Sequence, residues 1–133
     1  MMQSMIDFMQ KDAFTRHVGA ELLEASEGRA KAKLDIKDFH LNGLGTVHGA
    51  VMFALADLVF EIASNSHGTI AMAINASISY FKAVSEGTLF AEASEISCNP
   101  KLASYTIHVT DQHNDMIAIF QGMVYRKKDR IDT

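Results

Sequence analysis

The sequence lacks the features that define several large classes of protein. Its 133 residues contain a single cysteine, Cys98, so no disulfide can form within the chain. A chain without disulfides fits a reducing compartment. The N-terminal segment has no basic start and no small-residue cleavage site, which argues against a signal peptide. We therefore predict a cytoplasmic protein.

Positive charge and long apolar runs are also scarce. Sixteen acidic residues against twelve basic ones give a net charge of −4, so the chain has no overall attraction to nucleic acid or to an anionic membrane. A membrane helix needs roughly 18 apolar residues in a row. The most apolar segment, residues 50–60, is shorter and contains Asp57. We expect no nucleic-acid partner and no membrane insertion.

What remains is the composition of an ordinary globular protein. Hydrophobic residues make up 48% of the chain and charged residues 21%, which is enough apolar material for a buried core. The length suits one domain, and no linker, internal repeat or low-complexity segment divides the chain. We predict a single domain that covers residues 1–133.

The spacing of apolar residues predicts the order of the elements. Residues 2–12 have helical spacing, residues 17–36 indicate two strands, and a loop at 38–47 precedes a long helix at 48–65. Four further strands follow, at residues 69–83, 87–98, 101–111 and 116–127. Short turns between consecutive strands favour an antiparallel sheet. Because one very apolar helix is best buried inside such a sheet, we predict an α+β fold with about six strands wrapped around one central helix.

The long helix carries two carboxylates within its apolar segment. Asp57 and Glu61 lie one turn apart, on a narrow stripe of small or polar residues that also includes Ala50, Ala54 and Ser64 or Asn65. Burial of an ionised carboxylate is costly, so its pKa rises unless a partner compensates. Asp57 is therefore a candidate catalytic group. For Glu61, a solvated position at the edge of the sheet is an equally good interpretation.

The start of the helix offers a second candidate, Gly49. N–H groups in the first turn have no helical acceptor, and the helix dipole favours negative charge there. Gly49 would polarise a carbonyl oxygen as an oxyanion site, or it would simply ease the junction between loop and helix. Gly49 and Asp57 are eight residues apart, which is about 12 Å along a helix. If both act on one carbonyl group, they must come from two antiparallel copies, and the protein must be at least a dimer.

Other kinds of site find little support in the sequence. The six histidines form no HxxxH pair and no Cys/His cluster with zinc spacing, so we predict no metal site. Cys98 has no activating neighbour in the sequence, and we expect it to be inert. The glycines of segment 42–45 are too few for a nucleotide-binding loop, and we predict no cofactor.

The candidate residues belong to a longer motif. Asn42, His48-Gly49, Leu55-Ala56-Asp57 and Asn65-Ser66 follow one another along segment 41–68. This order and spacing resemble the hotdog-fold thioesterases of the phenylacetic-acid-degradation (PaaI-like) family, and the resemblance extends over most of the chain from about residue 17. It implies a hotdog fold and the hydrolysis of acyl-coenzyme A (acyl-CoA) thioesters. It also implies a homodimer, which assembles further into a homotetramer.

The resemblance implies roles for individual residues as well. Asp57 would be the nucleophile or the general base, and the Gly49 N–H would polarise the thioester carbonyl. Asn42 would position the water or the carbonyl, and His48 would support the thioester side of the site. In many family members a polar residue from the strand after the helix faces the acid, and the candidates here are Asn75 and Ser77.

Three features distinguish this chain from the family pattern. Ala50 replaces the second glycine of His-Gly-Gly, which trims the space near the carbonyl. Lys82-Ala83 replaces a common Lys/Arg-Pro pair, and Lys82 keeps a cation for the phosphates of CoA. Glu61 adds a carboxylate that would raise the pKa of Asp57 or disfavour anionic acyl groups.

The sequence leaves the acyl group and two other functions open. A mostly apolar pocket beside Phe53 and Phe60 would accept aryl or medium-chain acyl groups. One alternative is a hotdog protein that binds acyl-CoA without catalysis. The other is an acyl-thioester hydratase or dehydratase, which requires a His-acid pair at the substrate chain; here the acid lies in the helix, in the manner of the thioesterases.

Overall fold

Six antiparallel strands form one sheet, and a helix of 17 residues lies against its inner face. The computed structural model describes residues 2–131, so residue 1 and residues 132–133 of the predicted domain lie outside the described part. The elements in chain order are α1 (Met2–Gln10), α2 (Ala13–Val18), β1 (Glu21–Ser26), β2 (Arg29–Asp35), a 3-10 turn (Asp38–His40), α3 (Gly49–Asn65), β3 (Thr69–Tyr80), β4 (Thr88–Cys98), β5 (Leu102–Asp111) and β6 (Met116–Arg130).

The order of strands in the sheet is β1-β2-β4-β5-β6-β3, and each strand is antiparallel to its neighbours. This arrangement confirms the predicted α+β fold with one central helix and a short N-terminal helix. Strand β3 does not pair with the strands next to it in sequence. The chain crosses from α3 to the far side of the sheet, where β3 pairs with β6 and forms one edge.

The core lies between α3 and the inner face of the sheet. Phe60 of α3 is 1% exposed and packs against the rings of Tyr105 and Phe120, with centroids 5.8 and 5.5 Å away. Such aromatic contacts add roughly 0.5–1.5 kcal/mol to the free energy gained by burial of the rings. Despite its apolar character α3 is short, and within residues 2–131 no helix is long and apolar enough to cross a membrane.

The end of α3 is tied to two other elements by the Asn65-Ser66 pair. The Asn65 Nδ2 donates to the Glu61 carbonyl at 2.9 Å, and its Oδ1 accepts from the Ala71 N–H of β3 at 2.9 Å. The Ser66 Oγ accepts from the Gly28 N–H in the β1–β2 turn at 2.8 Å. Both side chains are buried, so these hydrogen bonds fix the position of the end of α3 relative to β3 and to the β1–β2 turn.

The N-terminal region differs from the sequence prediction. The helix predicted at residues 2–12 ends at Gln10, a second helix follows, and β1 begins only at Glu21 rather than near residue 17. Asp12 caps the second helix, because its carboxylate accepts from the Thr15 N–H at 3.0 Å and from the Thr15 Oγ1 at 2.7 Å. Gly19 ends that helix with a φ of 93°, a conformation that favours glycine.

Gly122 tests the closeness of α3 to the sheet. A Cβ at this position would lie 2.6 Å from the Phe60 ring, so we expect Gly122→Ala to lower the free energy of unfolding by about 1–3 kcal/mol. The matched control is Gly43→Ala, where a Cβ would meet no atom within 4 Å. Urea unfolding of the two variants measures the difference. An equal loss in both variants would contradict the close packing. When Gly122→Ala is combined with Phe60→Leu, part of the loss should be offset, because leucine is smaller and has no ring.

Candidate active site

The side of α3 that the sheet covers least carries the predicted stripe of small and acidic residues. Ala50 is exposed, and Ala54, Asp57 and Glu61 are half-buried, whereas most of the residues between Ala54 and Glu61 lie in the core. The stripe ends there, since Ser64 and Asn65 are buried. Asp57 thus sits at the boundary between the core and the surface of one protomer.

A third carboxylate, Asp12, approaches Asp57 and Glu61 from the start of α2. Burial raises the pKa of Asp57, and the negative charge of Asp12 raises it further. Burial also raises the pKa of Glu61, to about 7, with added contributions from the charges of Asp12 and Asp57 and from a hydrogen bond that protonated Glu61 donates to Asp12. Near neutral pH, therefore, a proton is shared within this group.

As the sequence predicted, burial raises the pKa of Asp57. The carboxylate whose charge raises it further is Asp12, whereas we expected Glu61. The sequence contained a signal for α2, since Asp is a favoured residue just before a helix and Gly, here Gly19, a favoured residue just after one. No local pattern, however, indicates that α2 packs against the acidic stripe of α3.

The N-terminus of α3 is shaped by His48, Gly49 and Tyr80. The His48 Nδ1 accepts from the Ala50 N–H at 3.1 Å and caps the helix. Within residues 2–131 the Gly49 N–H donates to no protein group, which leaves it available for a ligand. The Tyr80 hydroxyl donates to the Gly49 carbonyl at 3.0 Å, and a Cβ on Gly49 would lie 3.1 Å from the Tyr80 ring. Glycine is thus favoured here because Tyr80 covers it.

A groove of about 380 Å³ opens beside Gly49. Met52, Tyr80, Phe81 and Lys82 are among the residues that line it, so its walls are mostly apolar with a cation at one end. The Lys82 Nζ forms ion pairs with Asp115 at 2.7 Å and with Asp111 at 3.5 Å. A phosphate group that approaches Lys82 would therefore compete with two carboxylates.

Comparison with known proteins agrees with this geometry. A family model described as the thioesterase superfamily matches residues 44–118. The chain belongs to the thioesterase superfamily. Its curated relatives include a protein named "Putative esterase" from Archaeoglobus fulgidus, 44% identical over 95% of this chain and 83% of that protein. Another is the acyl-coenzyme A thioesterase PaaI of Escherichia coli, 30% identical over 88% of this chain and 84% of that protein.

The solved structure of E. coli PaaI has the same fold as this superfamily member. The two superpose with a TM-score of 0.93 at 27% identity, over 98% of this chain and 95% of that one. The predicted membership in the PaaI-like, hotdog-fold branch of the thioesterases is confirmed.

In this PaaI-like protein, Asn42 holds its own loop together. Its Oδ1 accepts from the N–H groups of Leu44 at 2.9 Å and Thr46 at 3.2 Å, and its Nδ2 donates to the Thr46 Oγ1 at 3.0 Å. His48 caps α3 and is exposed. Asn42 and His48 thus shape the loop that leads into the helix.

Asn75 and Ser77 lie on the outer face of the sheet. They pair with Met123 and Gln121 of β6, which alternate with the buried residues Gly122 and Val124. Because neighbouring residues of a strand point to opposite faces, neither side chain faces Asp57 of its own protomer.

The two phenylalanines expected at an acyl pocket have different environments. Phe60 belongs to the core, as its 1% exposure shows, and is not available to an acyl group in this conformation. Phe53 is half-buried, with its ring edge-on to Phe120 at a centroid distance of 5.1 Å. Phe53 remains the aromatic residue of α3 that borders the stripe.

The raised pKa of Glu61 predicts how stability depends on pH. The folded protein holds the Glu61 proton up to about pH 7, whereas an unfolded chain releases it near pH 4.5, the ordinary pKa of a glutamate. The stabilisation is therefore complete below about pH 4.5 and is lost as the pH rises through 7. We expect Glu61→Gln to match wild type near pH 4 and to exceed it in free energy of unfolding at pH 8.

Urea unfolding across this pH range measures the effect, with Glu92→Gln as a control on the exposed face of β4. The pKa of Asp57 is raised as well, so Glu61→Gln should remove only part of the pH dependence of stability. If the free energies of unfolding of wild type and Glu61→Gln changed in parallel from pH 4 to 8, the raised pKa of Glu61 would be contradicted.

Proposed function

We propose that this protein hydrolyses acyl-CoA thioesters to a free acid and coenzyme A. The observation that carries the proposal is Asp57, a half-buried carboxylate of raised pKa in the middle of an apolar helix whose N-terminal Gly49 N–H has no acceptor within residues 2–131. An acid and an oxyanion donor are the groups that acyl transfer to water requires. The name of the E. coli relative supports acyl-CoA as the substrate class.

The site is proposed to form between two copies of the chain. Along one helix the eight residues from Gly49 to Asp57 span about 12 Å, too far for both to act on one carbonyl group. In an antiparallel pair of α3 helices, Gly49 of one subunit approaches Asp57 of the other. Each dimer then has two equivalent sites.

Strand β3 is the proposed contact between the two subunits. It is 12 residues long, it forms an edge of the sheet, and Met72 and Ile74 on it are 53% and 57% exposed. A long apolar edge strand is prone to pair with another strand, so a second copy of β3 across a twofold axis is the occupant we propose. The homotetramer implied by the resemblance would be a pair of such dimers.

Within this site the chemistry divides between the two subunits. The Gly49 N–H would bind the thioester oxygen as negative charge develops on it. Asp57 would attack the carbonyl carbon or remove a proton from the attacking water, and either role requires its ionised form. The pantetheine arm would follow the groove beside Tyr80, with Lys82 toward the phosphates, and an aryl or medium-chain acyl group would lie near Phe53.

The remaining carboxylates would influence which acyl groups are accepted. Asp12 and Glu61 share a proton near neutral pH, and they keep net negative charge beside Asp57. Acyl groups that end in a carboxylate would be repelled from this charge. We therefore expect uncharged aryl and medium-chain acyl-CoAs to be better substrates than dicarboxylic ones.

Release of free thiol from a panel of acyl-CoAs tests the proposed reaction. We expect wild type to hydrolyse aryl or medium-chain members, and Asp57→Ala to reduce kcat by about 10²–10⁴-fold because the acid is gone. Asp57→Asn should still bind the substrate without cleaving it. Turnover close to wild type in a folded Asp57→Ala variant would refute the role of Asp57. Binding of CoA without turnover in wild type would favour a non-catalytic binder.

Replacement of Gly49 separates its N–H from its small size. Proline fits the first position of a helix and lacks the N–H, and the extended backbone of His48, with φ −61° and ψ 135°, tolerates a following proline. We expect Gly49→Pro to lower kcat by about 10²–10³-fold. Gly49→Ala is the matched control, since its Cβ meets Tyr80 in the same way but the N–H remains. Equal losses in both variants would mean that space, not the donor, matters at this position.

A further inference from the structure

A second group of reactive side chains lies at the opposite end of α3 from Gly49. His67 follows the helix, and Glu95 and Cys98 come from the end of β4. One ligand atom from each of the three lies within 4.8 Å of the other two. The His67 and Glu95 side chains are only 14% and 23% exposed, whereas Cys98 is exposed to solvent. The acyl-CoA mechanism uses none of these residues.

Both ring nitrogens of His67 lie against carboxylate oxygens, an arrangement that a neutral imidazole alone does not satisfy. Its Nδ1 lies 3.1 Å from the Glu27 Oε1, and its Nε2 lies 2.7 Å from the Glu95 Oε1. Carboxylates only accept hydrogen bonds, and a neutral imidazole donates through just one of its two nitrogens. With Nδ1–H directed at Glu27, the contact between Nε2 and Glu95 needs a further positive group, either a second proton or a metal ion.

We propose that His67, Glu95 and Cys98 bind a divalent metal ion of borderline softness, with Zn²⁺ as the preferred ion. An imidazole nitrogen, a carboxylate oxygen and a thiolate sulfur form a donor set that suits Zn²⁺ better than Mg²⁺ or Ca²⁺. Bond lengths of about 2.0–2.3 Å in a tetrahedral site separate the donor atoms by roughly 3.3–3.8 Å. The separations here, from 2.7 Å up to 4.8 Å, bracket that range, so small side-chain rotations suffice.

Neighbouring groups already orient two of the proposed ligands. Glu27 would fix the ring of His67 through Nδ1–H while Nε2 binds the ion. The buried Tyr105 hydroxyl donates to the Glu95 Oε1 at 2.7 Å and would hold that carboxylate in place. A carboxylate behind a histidine ligand is a recurrent arrangement in zinc sites. The exposed side of Cys98 leaves room for water as the fourth ligand.

The acidic groups around the cluster favour the binding of a cation. Glu27, Glu95 and an ionised Cys98 would together carry three negative charges. The positive charge of the Arg126 guanidinium lies close enough to favour the thiolate of Cys98. Burial and Glu95 raise the pKa of the Cys98 thiol, so the ion must displace a proton and binding should weaken as the pH falls.

The position of the cluster gives the ion a structural role. Glu27 lies in the β1–β2 turn, His67 in the α3–β3 connection, and Glu95 and Cys98 on β4, so an ion here would join three separate parts of the fold. Helix α3 alone extends about 12 Å from Asp57 to its end at Asn65, and His67 lies beyond it. The spacing rules that predicted no metal site search for ligands close in sequence, and they miss His67 and Glu95, which are 28 residues apart.

Titration of the chelator-treated full-length protein with Zn²⁺ tests the proposal. Calorimetry should show one saturable site per protomer, with release of protons. Co²⁺ in the same site should give a thiolate charge-transfer band that Cys98→Ser removes. We expect Cys98→Ser and His67→Gln each to weaken Zn²⁺ binding by about 100-fold or more, and Glu27→Gln by about 10–100-fold. His113→Gln, an exposed histidine outside the cluster, is the matched control.

Two results would overturn the assignment. One is the absence of a saturable site at one Zn²⁺ per protomer, which would leave a doubly protonated His67 between two carboxylates as the explanation of the cluster. The other is Zn²⁺ binding that Cys98→Ser weakens no more than His113→Gln does. Because Cys98 is exposed, we expect Cys98→Ser to fold. This variant alone therefore decides the test if His67→Gln fails to fold.

Discussion

Burial of α3 is the constraint on which the rest of the structure depends. The helix is apolar on almost every side, and a six-stranded sheet covers most of that surface. Residues such as Phe60 and Leu55 give the helix and sheet their common core, with β6 close enough that Gly122 cannot carry a side chain without displacing Phe60. The sheet leaves one narrow stripe of the helix uncovered. A polar side chain on the helix must lie on this stripe or, like Ser64 and Asn65, form hydrogen bonds inside the core.

The same constraint explains the position and the chemistry of the candidate active site. Asp57 stays half-buried because only one side of α3 is uncovered, and partial burial keeps its pKa above the ordinary range. The rigid rise of the helix holds Asp57 away from the N–H of Gly49 in the same chain. The proposed catalytic arrangement therefore needs a second helix, and the edge of the sheet that β3 forms is the surface on which we propose that a second copy docks. The fold, the proposed dimer and the proposed chemistry are thus linked through α3.

Local patterns in the sequence predicted those parts of the fold that depend on neighbours in the chain. Alternation and helical spacing located α3 and the strands, and the pattern from Asn42 to Ser66 indicated the family. Features that depend on distant contacts were not predictable in this way: the crossing of β3 to the far edge, the approach of Asp12 to Glu61, and the meeting of His67 with Glu95. The structural role of Ser66 escaped for the same reason, since its partner Gly28 is 38 residues away.

The central claim, that Gly49 of one subunit acts with Asp57 of the other, is tested most directly by mixing two inactive variants. Asp57→Ala and Gly49→Pro subunits, refolded together, form heterodimers in which one site combines an intact Gly49 with an intact Asp57. In an equal mixture half of the dimers would be heterodimers with one working site of two, so about a quarter of the wild-type thioesterase activity should return. No recovery, with heterodimers verified by mass spectrometry, would contradict a site shared between subunits.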